Sequence, residues 1–341
     1  MEGKHKVKLK FKFFLAFTLI IISATLLYTK KINIAYATDL VITLATDKEE
    51  YGTGEKVTVK GNLTLEGYGF RVGLVAVEIE SPISHLIFRT MKTGPLENQQ
   101  WEVEITNLYP CDQYGNPKYS FKPGTFAYVK VEFENNSNSS KPIAVAVYIQ
   151  YSNSVPFVAK IDKTTIPPNT SGSILSSIPI PSTAPLGTTW IFASIYTDQP
   201  KYGGFPYCPE KNATFQISTT SSSIQTSQIG TYETQTEPPS SFKFTFVLPK
   251  GTSCPFGTYT IYASAKWQNY TATASKTFKV IIIGDVDNDG DVDMDDIGIA
   301  CLAFGTKPGH PRWDPRADIT KDGIVDMDDI GLICLHFGEH L

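Results

Sequence analysis

The 341-residue chain is poor in the side chains that usually do chemistry. Of its five histidines, His5 lies in a basic leader and His85 in an alternating run, while His310, His336 and His340 fall in the acidic C-terminal stretch. No Gly-x-Ser-x-Gly elbow, His-Glu-x-x-His helix or phosphate-cradling glycine loop occurs, so the motif-borne hydrolase, zincin and nucleotide-dependent classes are excluded. A non-catalytic protein is expected. The five cysteines contain no Cys-x-x-Cys and no cysteine–histidine spacing that would point to zinc or dithiol redox chemistry. Charged residues make up only 19% of the chain and the net charge is −4, with no basic stripe, so nucleic acid is not an expected partner. Between Asp39 and Ile283 helical periodicity is almost absent, and the chain has a single long apolar run.

What the chain does have is a duplication near its end. Gly284-Asp-Val-Asp-Asn-Asp-Gly-Asp-Val-Asp-Met-Asp-Asp-Ile is repeated, shifted by 33 residues, so that Asp285 falls on Asp318, Gly290 on Gly323, Asp296 on Asp329 and Cys301 on Cys334. Each copy carries oxygen side chains at positions 1, 3, 5, 9 and 12, with glycine at position 6 where the backbone turns. These are Asp285, Asp287, Asp289, Asp293 and Asp296 in the first copy, with Asp291 expected to lend its backbone carbonyl. In the second they are Asp318, Thr320, Asp322, Asp326 and Asp329, with the carbonyl of Ile324. Ca²⁺ takes six to eight hard oxygens in a flexible shell, so two calcium sites are expected. The second should be weaker, because Thr320 replaces a charged ligand by a neutral one.

Position 12 is Asp instead of the bidentate Glu of an EF-hand, and no helical pattern precedes either loop. The stretch before the first copy, Phe278-Lys-Val-Ile-Ile-Ile, reads as a strand. After each loop a short apolar helix is expected, Ile297 to Phe304 and Ile330 to Phe337, closed by Gly305 and Gly338. A loop followed by one helix, duplicated over residues 284–341, resembles the type I dockerin domain. That resemblance implies an extracellular, calcium-folded module that docks onto a cohesin-like or other surface protein module. The positions that dockerins use for partner choice fall here on Met294, Asp295, Cys301 and Leu302, and on Met327, Asp328, Cys334 and Leu335.

The N-terminus reads as a targeting segment over residues 1–37. Alternating lysines from Lys4 to Lys12 precede an apolar run from Phe13 to Leu27, and Ala35-Tyr-Ala resembles a cleavage site. An uncleaved signal-anchor is the alternative and would be the chain's one membrane contact. Either way a secreted or cell-surface location is expected. Six Asn-x-Ser/Thr acceptors, at Asn62, Asn135, Asn138, Asn169, Asn212 and Asn269, agree with export.

The region from Asp39 to Ile283 is expected to be β throughout. Short runs rich in Val, Ile, Thr, Tyr and Phe, such as Lys56 to Leu65, Leu74 to Glu80, Ile143 to Ile149 and Tyr259 to Ala265, are spaced by turn residues. The fold class is therefore mainly β, with immunoglobulin-like sandwiches followed by the small helical module. Two strand openers, near Asp47 and Tyr119, precede two similar closers. Pro185-Leu-Gly-Thr-Thr-Trp-Ile-Phe-Ala-Ser and Pro255-Phe-Gly-Thr-Tyr-Thr-Ile-Tyr-Ala-Ser agree at six of ten positions. That order favours a nested arrangement: a host sandwich from residues 39–104 and 240–283 around an inserted one at 105–219. Three tandem modules are the alternative. Residues 220–239 read as a Ser/Thr-rich linker.

Cys111 and Cys208 lie in turn-like surroundings near the two ends of the inserted module, and an oxidising compartment leads to the expectation that they are bridged. Cys301 and Cys334 are either bridged or packed as small apolar residues, and Cys254 is left over. Trp101, Trp190 and Trp267 could form a face for polysaccharide, or serve as core.

Overall fold

The computed structural model describes residues 39–71, 73–96, 99–219, 240–250 and 254–340. The expected leader and the expected Ser/Thr-rich linker lie outside them. The protein is mainly β, with four sheets in sandwich-like layers and two short helices near its C-terminal end.

One sheet is ordered β1 (Leu40–Thr46), β3 (Lys56–Leu65) and β15 (Ser241–Val247), with β4 (Tyr68–Gly69) also paired to β3. A second runs β2 (Glu50–Tyr51), β17 (Tyr270–Val280), β16 (Gly257–Trp267), β5 (Leu74–Glu80) and β6 (His85–Lys92). Both sheets draw strands from the two ends of the β region. The third and fourth take everything between: β12 (Thr170–Pro179), β9 (Phe126–Asn135) and β7 (Val103–Cys111) in one, and β11 (Pro156–Ile166), β10 (Lys141–Tyr151), β13 (Gly187–Tyr196), β14 (Lys211–Ile217) and β8 (Ser120–Phe121) in the other.

Sequence period decides which strands are covered once and which twice. In β3 the alternation of Lys56-Val-Thr-Val-Lys-Gly-Asn-Leu buries Val57, Val59 and Leu63 and leaves Lys60 and Asn62 in solvent. Gly61 belongs to the buried set because the Phe242 ring lies over it; a Cβ there would sit 2.3 Å from that ring. By contrast β10 and the first half of β5 are apolar without alternation, and both strands are buried on both faces, Glu78 of β5 included. Along β10, Ala144, Ala146 and Tyr148 join the core shared by the first two sheets, while Ile143, Val145, Val147 and Ile149 join the core against β7 and β9. The fourth sheet is thus a common wall of two cores.

A buried ion pair joins β6 to the segment just before β14. Arg89 of β6 is 2% exposed, and its guanidinium donates to both carboxylate oxygens of Glu210 at 2.6–3.1 Å. The Glu210 carboxylate also accepts from the Thr90 backbone N–H at 2.9 Å. The guanidinium carbon lies 4.1 Å from the centre of the Phe192 ring, and the Tyr196 hydroxyl donates to the Arg89 carbonyl at 3.0 Å.

The cysteines correct one expectation. All five are free, so Cys111 and Cys208 are not bridged. Cys208 accepts a backbone hydrogen bond from Ile105 near the start of β7, whereas Cys111 ends that strand beside Lys130. Six residues of strand separate the two places by about 20 Å, and a disulfide needs Cα atoms within about 7 Å. Burial pushes the Cys111 thiol up to about 11 and the Cys208 thiol up to about 12. Cys254 is buried too, with its sulfur 3.5 Å from the Tyr259 hydroxyl. Cys301 and Cys334 are exposed, so they are neither bridged to each other nor packed inside.

Two outcomes follow. Glu210→Ala should cost about 3–5 kcal/mol in denaturant unfolding, since it strands a buried guanidinium, and Arg89→Met combined with Glu210→Leu should recover most of the loss. Native alkylation read by mass spectrometry should modify Cys301 and Cys334 and spare Cys111, Cys208 and Cys254.

Candidate metal centre

The C-terminal region follows β17 with no intervening linker. Ile281 N–H donates to the Tyr51 carbonyl at 2.9 Å, and Ile282 turns into the core of the tail. The first loop then runs from Asp285 to Asp296 and the second from Asp318 to Asp329. Position 4 is left-handed in both, at Asn288 (φ 63°) and Lys321 (φ 60°), as is position 6, at Gly290 (φ 103°) and Gly323 (φ 89°). Glycine meets the second requirement without steric cost.

The helices α1 (Met294–Ala303) and α2 (Met327–Leu335) begin three residues earlier than expected, inside the loops. The reason is a reciprocal cap. Asp293 is the N-cap of α1, and Asp296, three residues on, accepts from the Asp293 N–H at 2.8 Å. Asp326 and Asp329 repeat this in α2, again at 2.8 Å. The position-12 aspartates are buried, at 1% exposure for Asp296 and 0% for Asp329. Asp296 also accepts from the Val286 and Asp287 N–H groups at 2.6 and 3.2 Å, which draws the loop's start over the helix N-terminus. Gly305 and Gly338, just beyond the helices, have φ of 73° and 84°.

Each loop is braced by the other repeat. Val292 N–H donates to the Glu339 carbonyl at 2.9 Å and Gly338 N–H to the Val292 carbonyl at 2.8 Å. In the matching place, Gly305 N–H donates to Val325 at 2.8 Å and Val325 N–H to Thr306 at 3.0 Å. Val286, Val292, Ala300, Ala303, Ala317, Val325 and Ile333 form one small core between the two helices, with Phe256 and Ile282 of the β region packed into it.

The loops differ in acid content. Carboxylate oxygens of Asp285, Asp287 and Asp289 lie within 4.8 Å of one another, and so do those of Asp291, Asp293 and Asp296. Asp291 thus contributes its side chain, beyond the carbonyl expected of it. Asp285 Oδ1 and Asp291 Oδ1 are buried with no hydrogen-bond partner. Burial raises the Asp285, Asp287 and Asp291 carboxyls above the ordinary range, and neighbouring aspartate charge pushes the same way. A set of hard oxygens, crowded and partly unpaired, suits a hard divalent cation, and these two triads can hold metal ions. In the second loop position 3 is Thr320, whose hydroxyl donates to Asp329 Oδ1 at 3.1 Å, and position 7 is the half-exposed Ile324. Among the described residues no acidic triad of this tightness forms from Asp318, Asp322, Asp326 and Asp329. Asp318 still accepts from Gly323 and Asp322 N–H at 3.0 and 3.1 Å, the first matching Asp285 with Gly290 at 3.2 Å.

The helix residues singled out for partner contact lie in solvent. Met294, Leu302, Met327 and Leu335 are 65%, 70%, 64% and 75% exposed, and Asp295 and Asp328 are exposed beside them. The tryptophans do not: Trp101 packs on the core between β9 and β10, and Trp190 and Trp267 pack on the core of the first two sheets. Contacts between the tail and the β region left no mark in the sequence. Lys321 of the second loop pairs with Glu50 of β2 at 2.8 Å across 271 residues of chain and holds that carboxyl below its ordinary range. A cleft of about 790 Å³ opens beside this pair, lined by Lys48, Lys279, Asp285 and Asp318 among others.

No protein-family model and no curated protein matches the chain. Solved structures resemble parts of it. A Paenibacillus cycloisomaltooligosaccharide glucanotransferase aligns over 34% of this chain and 14% of its own, at 12% identity and a TM-score of 0.26. The C-terminal domain of wzt aligns over 36% and 76%, at 8% identity and 0.30. A Bacteroides uniformis beta-glucuronidase aligns over 50% and 27%, at 7% identity and 0.29. Likenesses this partial say nothing about activity.

Calorimetric titration with Ca²⁺ provides the check on the two loops. Asp285→Asn should weaken the tighter site by about tenfold or more and leave the other in place, whereas Thr320→Asp should tighten the weaker one.

Proposed function

We propose that this is a non-catalytic protein of the cell surface or exterior whose calcium-loaded, dockerin-like tail docks onto another protein module. The β-sandwiches serve as its scaffold, and their strand pairing reads as one sandwich inserted in another. The observation that carries this reading is the matched exposure of Met294 with Leu302 and of Met327 with Leu335. The same apolar pair stands in solvent at the same register on both helices, while the opposite sides of those helices close a shared core. Apolar side chains held out on a braced scaffold favour contact with a partner. Asp295 and Asp328 beside them favour one with an apolar groove and a basic rim, of the cohesin-like kind.

Calcium enters as the condition for that surface. Twelve aspartates stand in the two loops, seven in the first and five in the second, so the metal-free segment repels itself. Ca²⁺ would be held by Asp285, Asp287, Asp289, Asp293 and Asp296, with Asp291, and by the second set with Thr320 and the Ile324 carbonyl. Neutralising those charges stabilises the helix N-termini that carry Met294 and Met327.

A second reading rests on the Lys321–Glu50 pair and on Phe256 and Ile282 in the tail core. In it the tail docks on its own β region and stabilises the chain.

Capture from the producer's own surface proteins separates the two. Under docking in trans, the immobilised chain retains a partner in Ca²⁺ and releases it with chelator. Asp substitutions at Met294, Leu302, Met327 and Leu335 together abolish retention without lowering thermal stability. Under the second reading nothing specific is retained, and chelation instead lowers the unfolding temperature of the β region.

A further inference from the structure

A second group of metal-ligating side chains lies far along the chain from the acidic loops. Glu78 and Glu80 sit two apart on β5 and so share a face of the sheet. The register of β5 with β6 is regular as far as Ile79 opposite Ile87 and then slips, so that Glu80 faces His85 and not Leu86. That bulge turns the imidazole toward both carboxylates, and the Phe88 ring, 5.2 Å away, steadies it. His85 Nδ1 lies 3.2 Å from Glu78 Oε1 and 3.2 Å from Glu80 Oε1. The atom is buried, yet it makes no hydrogen bond of proper geometry with either.

We propose that Glu78, Glu80 and His85 bind a first-row transition-metal ion of the zinc class. The three donor atoms lie within 4.8 Å of one another. Bonds of about 2.05 Å in a tetrahedral shell place neighbouring donors about 3.3 Å apart, and both imidazole–carboxylate separations match that edge. One nitrogen with carboxylate oxygens suits such an ion better than Ca²⁺, which prefers an all-oxygen shell. The Glu78 side chain is wholly covered, which holds its carboxylate at a fixed place among the three donors.

The remaining neighbours come from the loop after β13. Gln199 Nε2 donates to Glu78 Oε1 at 2.5 Å, the Lys201 N–H donates to Glu78 Oε2 at 3.0 Å, and Lys201 Nζ pairs with Glu80 Oε1 at 2.5 Å. The Lys201 backbone holds the far oxygen of Glu78, and Gln199 bonds to the oxygen that faces His85, on whose second lone pair the ion would sit. The Lys201 ammonium is a competitor: it shares with His85 the oxygen that the ion would take.

The test uses the whole exported chain saturated with Ca²⁺, titrated with Zn²⁺ against a chromophoric chelator and with Co²⁺ followed by visible ligand-field bands. The wild type is expected to take up one Zn²⁺. His85→Ala and Glu80→Gln should each lose that uptake by about tenfold or more, and Asp285→Asn should keep it. Lys201→Ala should bind Zn²⁺ more tightly, because the competing ammonium is gone; a plain ion-pair cluster would only lose stability. His85 is 30% exposed, so its replacement leaves the fold intact, which the unfolding temperature without zinc verifies. Absent uptake in the wild type, uptake indifferent to His85→Ala, loss in Asp285→Asn, or weaker binding in Lys201→Ala would each overturn the proposal.

Discussion

The sheet built on β10 is covered on both faces, and most of the architecture follows from that. A strand reading Ile-Ala-Val-Ala-Val-Tyr-Ile has no polar face to give to water, so two layers must close on it. One layer brings β9 and β7. The other brings β5 and β6, and with them the polar groups of β6 are carried out of solvent. Arg89 then has to meet a carboxylate within the interface, and Glu210 supplies it at the point where Phe192 and Tyr196 enclose the guanidinium.

The tail solves a different problem at small scale. Two helices of about ten residues each cannot bury enough surface to hold themselves. Asp296 and Asp329 compensate by accepting backbone N–H groups at the helix starts, and each loop borrows the end of the other repeat to finish its hydrogen bonding. Phe256 and Ile282 lend the apolar side chains that the repeat lacks. The cost is a concentration of negative charge that only a cation or protons can offset. What remains exposed is the apolar pair on each helix.

The acidic loops and the cluster around His85 use carboxylates differently. In the loops, acids crowd one another and two oxygens are left unpaired. Around His85 an amide and a backbone N–H bond to Glu78, an ammonium pairs with Glu80, and the imidazole Nδ1 is left without a hydrogen bond.

The sequence by itself determined whatever depends on near neighbours. The period of Lys56–Leu65 places β3, the unbroken apolar run places β10, and the 33-residue repeat places both loops, their glycines and the weaker acid content at Thr320. Helix starts were legible less well, since position 12, expected as a ligand, caps the helix and draws α1 and α2 into the loops. Tertiary structure alone decided the contacts made across long stretches of chain. It set Cys111 and Cys208 at different ends of β7, packed Trp190 and Trp267 against the core, joined Lys321 to Glu50, and brought Gln199 and Lys201 to Glu78. Local periodicity reports which way a side chain points from its own backbone. Which other backbone it meets depends on how separate layers stack, and no spacing along the chain encodes that.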